Sequence, residues 1–234
     1  MDERARGSAL ARSAAMKQLL IAAAALVFAL ASTPADAQIA VDTITPGWTS
    51  FGQAAPQGAA PSGLQVGSLF TQTDVKTRWP DGSIRFAVVT ANVPTAGTYA
   101  ISAAPIASGA FTPALPTASV ALAVGGTTYT AALPTVSSND LWLSGGLVYE
   151  GRSVIAPVSS TDGTAHPFLR VIFDTRVYND GAGRVDVTVE NVLDETGATT
   201  VTYNVTIVVN GQAVFAKNSV PHYYLTRWRK LFTF

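Results

Sequence analysis

Cysteine is absent from the chain, and histidine and methionine occur only twice each. Without thiols there is no disulfide, no thiolate metal site and no cysteine nucleophile, so stability rests on core packing. Charge is also scarce, at 13% of residues, with fifteen basic side chains balancing fifteen acidic ones. A balanced chain lacks the basic stripe that neutralises phosphates, which argues against a nucleic-acid partner. No run of like charges marks an electrostatic tail. GxSxG, P-loop and GxGxxG patterns are missing as well. His166 and His222 lie far apart with no HxH or HExxH spacing, so the sequence supports neither a metal nor a cofactor. His166 precedes Pro167 at the start of a strand-like run, where capping or surface roles are common.

The first segment has the grammar of export. Arg4, Arg6, Arg12 and Lys17 precede the apolar run LLIAAAALVFALA (19–31), and Ala35 and Ala37 supply the small residues that a signal peptidase reads. The run is shorter than the roughly 20 residues needed to span a bilayer. Residues 1–37 therefore read as a cleaved signal peptide, with Met16 an alternative start and an uncleaved anchor the competing reading. The mature chain, from Gln38, is expected in the periplasm or outside the cell, with no membrane span after cleavage.

Beyond Gln38 the chain shows short apolar or alternating runs punctuated by Gly, Pro, Asn and Asp, the signature of an all-β protein. Runs at 64–70, 84–93, 98–103, 119–124 and 127–133 form a first group. Runs at 147–155, 167–178, 184–193, 200–209 and 212–216 form a second. Residues 94–118, rich in Ala, Pro, Ser and Thr and including the run at 98–103, read as a long, loose connection. The Gly-rich join LPTVSSNDLWLSGG separates the groups. The expected architecture is a small barrel-like module over 38–138, then an antiparallel β-sandwich over 139–234. The last strand reads as cut within one that continues in longer relatives.

Alternation is clearest at 170–190. Arg170, Asp174 and Arg176 share one face and Leu169, Val171, Phe173 and Val177 the other; Arg184, Asp186, Thr188 and Glu190 alternate with Val185, Val187 and Val189. Counting cross-strand charge pairs favours Tyr178 opposite Arg184 and Arg176 opposite Asp186, because a two-residue slip opposes like charges. One face should be core and the other a charged ladder in water.

At residues 78–89 the sequence RWPDGSIRFAVV sets a tight PDGS turn between two strands. Four further stretches accompany it: SFGQAAPQGAAPSGL (50–64), WLSGGLVYEGRSV (142–154), HPFLRVIFDTRVYNDGAGRVDVTVEN (166–191) and HYYLTRWRK (222–230). The ordered series resembles the RIFT-type barrel and following β module at the N-terminus of rhamnogalacturonan exolyase-like proteins. It is also similar to a wider set of uncharacterised bacterial and phage-associated proteins that share the module. In lyase-like members the β modules precede a helical toroid that carries much of the catalytic cleft. This chain stops at KLFTF with no helical domain, and the resemblance assigns no catalytic residue here.

Candidate chemistry is therefore binding rather than catalysis. Aromatic faces stack on the CH surfaces of sugars, and Trp79 and Trp142 lie beside loops where such platforms sit. Arg85 flanks the Trp79 hairpin, and Glu150 is the carboxylate left unexplained by the charge ladder. Trp79, Arg85, Trp142 and Glu150 are the ligand-binding candidates, with Trp48 and Trp228 also available as aromatics. An acid pair drawn from Glu150, Asp174, Asp186 and Glu190 is the enzymatic alternative. Three classes follow: a non-catalytic, carbohydrate-recognising module; the β portion of a lyase-like enzyme; or a structural phage- or envelope-associated module. The first is favoured, with polysaccharide as partner; oligomeric state is unspecified.

Overall fold

The structure, a computed structural model, describes residues 38–107, 109–135 and 141–234. It is all-β, as expected: the described residues form strands in four antiparallel sheets and no helix. The predicted signal segment lies outside the described residues. None of the described residues forms a helix long and apolar enough to cross a membrane.

The first module has two three-stranded sheets. One is ordered β1 (Gln38–Ile44), β6 (Gly97–Ala104), β3 (Gly63–Val66); the other is ordered β2 (Gly47–Ala54), β5 (Ile84–Val93), β4 (Thr71–Arg78). Leu64, Val66, Ile84, Val89 and Ile101 meet between them in a buried cluster. Threonine hydroxyls join the sheets where no backbone ladder does: Leu64 N–H donates to Thr73 Oγ1 at 3.0 Å and Val66 N–H to Thr71 Oγ1 at 3.1 Å. The PDGS hairpin joining β4 and β5 closes as its composition dictates. Gly82 takes φ +86°, and Asp81 Oδ1 accepts from the Ser83 N–H and hydroxyl at 3.0 and 2.6 Å. Those Ser83 hydrogen bonds hold the Asp81 carboxyl below its usual range.

The second module is a sandwich of two five-stranded sheets. One is ordered β11 (Val158–Ser159), β8 (Thr127–Ala132), β7 (Ala118–Val124), β14 (Val201–Val209), β15 (Gln212–His222). The other is ordered β16 (Thr226–Thr233), β13 (Gly183–Asn191), β12 (Arg170–Tyr178), β10 (Val148–Ile155), β9 (Leu141–Ser144). Their inner faces bury Val120, Leu122, Phe173, Val187, Tyr203 and Ile207 together.

Two sequence expectations are corrected here. The sequence groups strands β7 and β8 with the first module, but β7 pairs with β14 from Ala118↔Val209 to Val124↔Tyr203. Val120 and Leu122 are needed to cover the Phe173 side of the sandwich. The change of core thus falls along 105–117, which carries no strand among its described residues, rather than near 138.

The register of β12 and β13 also differs. Asp174 stands opposite Asp186 and Arg176 opposite Arg184. A two-strand count misses the neighbours that a five-stranded sheet supplies from either side. Arg176 is held by Glu150 and Asp174 by Arg152, both on β10, while Arg229 on β16 approaches Asp186 at 3.3 Å. The turn sets the slip: Tyr178 N–H donates to Ala182 O and Ala182 N–H to Asp180 Oδ1, so Gly183 already pairs with Val177. Nor is the outer face simply wet, since Asp186, Thr188 and Glu190 are buried beneath flanking arginines.

The two modules meet around a buried glutamine. Gln72 Oε1 accepts from Leu147 and Val148 N–H at 2.8 and 2.9 Å, and its Nε2 donates to Val148 O at 3.1 Å and Asp74 Oδ2 at 2.7 Å. Gly145 permits this approach, because a Cβ there would lie 2.5 Å from Gln72 Cδ. Beside it, Val88 packs on Leu143, Val148 and Tyr178. Trp48 stacks on Tyr178 at 4.6 Å and donates to Asp180 Oδ2 at 2.7 Å.

Candidate functional site

A groove lies along the β9–β10 edge of the sandwich, where a volume of about 780 Å³ is lined by Leu141, Trp142, Glu150, Arg152, Val154 and Asp174 among others. This size falls within the roughly 300–1,000 Å³ usual for small-ligand sites.

Trp142 owes its position to a bulge. Leu143 pairs with Glu150 and Leu141 with Gly151, so Trp142 is the extra residue of an edge strand. Bulges re-aim side chains and recur beside binding sites. The result is a tryptophan that remains 54% exposed. Lys76 of β4 fixes it, its ammonium bonding the Trp142 carbonyl and lying 4.2 Å from the ring centroid. Such a contact is worth about 0.5–1 kcal/mol at an exposed site.

The polar floor consists of paired charges. Arg152 grips Asp174 through two bonds, Nε to Oδ1 at 2.6 Å and Nη2 to Oδ2 at 3.0 Å. The Asp174 hydrogen bond and charge raise the Arg152 pKa. Glu150 takes a 2.5 Å bond from Arg176 Nε. The acid pair that sequence left open is thereby absorbed into arginine contacts. Asp174 and Asp186 do face each other across the ladder, but Asp186 is 7% exposed and does not line the groove.

Trp142 and Glu150 thus come together, whereas Trp79 and Arg85 form a separate pair. The Arg85 guanidinium lies 4.9 Å from the Trp79 centroid, and Trp79 Nε1 donates to Ala55 O at 3.0 Å. Trp79 staples its hairpin to the neighbouring loop, the turn-making role its composition suggests. No hydrogen bond or ring contact among the described residues joins this pair to the groove.

Both histidines are buried, so the surface alternative for His166 does not hold, and both are hydrogen-bonded within the fold. His166 Nδ1 accepts the Leu169 N–H at 3.1 Å, with Tyr129 and Phe168 packed edge-on against the ring. His222 sits in a relay: Trp228 Nε1 donates to the Tyr203 hydroxyl at 2.7 Å, and that hydroxyl lies 2.7 Å from His222 Nδ1. His222 Nε2 is 3.0 Å from Thr226 O, an acceptor only, so Nε2 carries the proton and Tyr203 donates to Nδ1. Burial depresses both imidazole pKa values and pushes the Tyr203 hydroxyl up to about 12. No group of three or more potential metal ligands occurs among the described residues.

Sequence reasoning missed Lys76 and Arg152 as parts of the site, and named Asp174 only as a member of the alternative acid pair. Arg152 and Asp174 share the face of Glu150 once β10 pairs with β12, but Lys76 comes from the other module and left no local signal. Comparison with known proteins assigns no family to the chain: no protein-family model matches it, and no curated protein does.

Proposed function

We propose that the protein is an exported, non-catalytic module that recognises carbohydrate at the Trp142 groove. The observation that carries this is the bulged, exposed Trp142 at the mouth of a groove floored by charged pairs. The indole supplies an apolar stacking face, and the paired carboxylates and guanidiniums supply acceptors and donors for hydroxyl groups. Resemblance to the β modules of exolyase-like proteins is consistent with a glycan-associated role.

The assembly-module alternative is less well supported by the open sheet edges. β15 carries Lys217, Pro221 and two register shifts, and β16 carries Arg227, Arg229 and Lys230. Charges, proline and bulges are the devices that keep edge strands from pairing with other chains.

Affinity electrophoresis in gels containing polysaccharide tests the proposal. Wild type should be retarded by at least one glycan, Trp142→Ala should migrate as in a glycan-free gel, and Trp79→Ala should behave like wild type if it remains folded. Equal retardation of wild type and Trp142→Ala would remove the groove from consideration.

A further inference from the structure

Resting on that reading, we infer that the groove is built for uncharged glycans and discriminates against uronate and sulfated sugars.

Among the described residues, the three cations beside the groove, Arg152, Arg176 and Lys76, are already committed. Arg152 presents its Nε and Nη2 to both oxygens of Asp174, at 2.6 and 3.0 Å, in the bidentate arrangement that an incoming carboxylate or sulfate would need for itself. Arg176 is turned to Glu150, and their side chains are only 16% and 18% exposed. The Lys76 ammonium is anchored on the Trp142 carbonyl and ring.

The observed register prevents Arg152 from being diverted. Asp174 lies directly opposite Asp186, and Asp186 Oδ1 has no hydrogen-bond partner, only the 3.3 Å approach of Arg229. An anionic ligand that drew Arg152 away would leave two facing carboxylates short of compensating charge. It would also bring its own negative charge beside Asp174 and Glu150. Like charges opposed across a ladder are destabilising, and more so where water is partly excluded.

What remains on offer suits hydroxyls. A bidentate arginine–carboxylate pair still exposes the outer lone pairs of its oxygens and the unused N–H groups of its guanidinium, side by side. Each sugar hydroxyl both donates and accepts, so two vicinal hydroxyls match that array without displacing either partner. Arg152 and Asp174 keep 64% and 31% of their side chains exposed for such contacts. Trp142 adds the apolar face for a pyranose ring.

The test is a titration panel on the mature chain. Neutral polymers (β-glucan, galactan, mannan, arabinoxylan) are compared with acidic ones (polygalacturonate, alginate, a sulfated galactan) at 50 and 500 mM salt. The expected result is retention by a neutral polymer, at least tenfold weaker for Trp142→Ala, little changed by salt, with no retention by the acidic set. Salt-sensitive binding of an acidic polymer that also needs Trp142 would overturn the inference while leaving the groove as a glycan site. Neutral binding that ignores Trp142, or no glycan binding at all, would overturn both. Circular dichroism of Trp142→Ala separates lost binding from lost folding.

Discussion

Single residues decide where this chain permits no change. Gly145 is an example, because its missing side chain is the space occupied by Gln72. A methyl group there meets Cδ, Oε1 and Cγ of a side chain that is buried and held by four hydrogen bonds, so the amide cannot swing aside cheaply. Gly145→Ala should therefore lower stability by about 1–3 kcal/mol, the usual cost of overpacking a filled site. Urea denaturation measures it, and an unchanged midpoint would show that Gln72 relocates freely. Neighbouring Gly146 gives a useful contrast, since its nearest atoms lie at 3.3 Å or more and belong to Gly109. In the sequence both glycines look like an ordinary loop. The difference between them depends on a residue more than seventy positions away, and local composition carries no trace of it.

Strands were more legible than their neighbours. Alternation at 170–190 identified the inner face, because a buried Val171, Phe173 or Val187 repeats every second position. Pair order was not legible: Arg176 opposite Arg184 and Asp174 opposite Asp186 look unfavourable until β10 brings Glu150 and Arg152 and β16 brings Arg229. The Trp142 bulge was hidden for the same reason, as an extra residue exists only relative to the strand beside it. At the β15–β16 turn, the His222 relay makes a further expectation. His222 and His166 are held neutral in the fold, with pKa values below the ordinary 6.5. A pH unit or more above that value neither folded nor unfolded chain binds these protons appreciably, and the stabilisation is fully present. As pH falls below that value the unfolded chain protonates first, so stability declines until the folded histidines titrate. Unfolding free energies from urea melts should fall between pH 7.5 and 5.5, and less steeply for His222→Gln than for wild type. A flat profile would mean that the buried imidazoles ionise as readily as free ones.

For the molecule as a whole, the question is whether two cores behave as one. Each module buries its own cluster, and the described residues of the linking segment at 105–117 contribute no strand. Cooperativity must then come from the junction of Gln72, Trp48, Val88 and Tyr178. Gln72→Ala strands the Leu147 and Val148 N–H groups and the Val148 carbonyl, at about 1–3 kcal/mol for each buried group that water cannot reach. Trp48→Ala removes a stacked pair worth about 0.5–1.5 kcal/mol beyond its buried area. Together these approach the 5–15 kcal/mol that usually separates folded from unfolded domains. Wild type should therefore unfold in one calorimetric transition, and the Gln72→Ala/Trp48→Ala double variant in two. The same loss reaches the groove, because Lys76 lies on the strand that carries Gln72 and steadies Trp142 from across the junction. Glycan affinity should weaken in the double variant even at temperatures where both modules remain folded. A single transition with undiminished binding would mean that the modules are coupled elsewhere and that Trp142 needs no support from the first module.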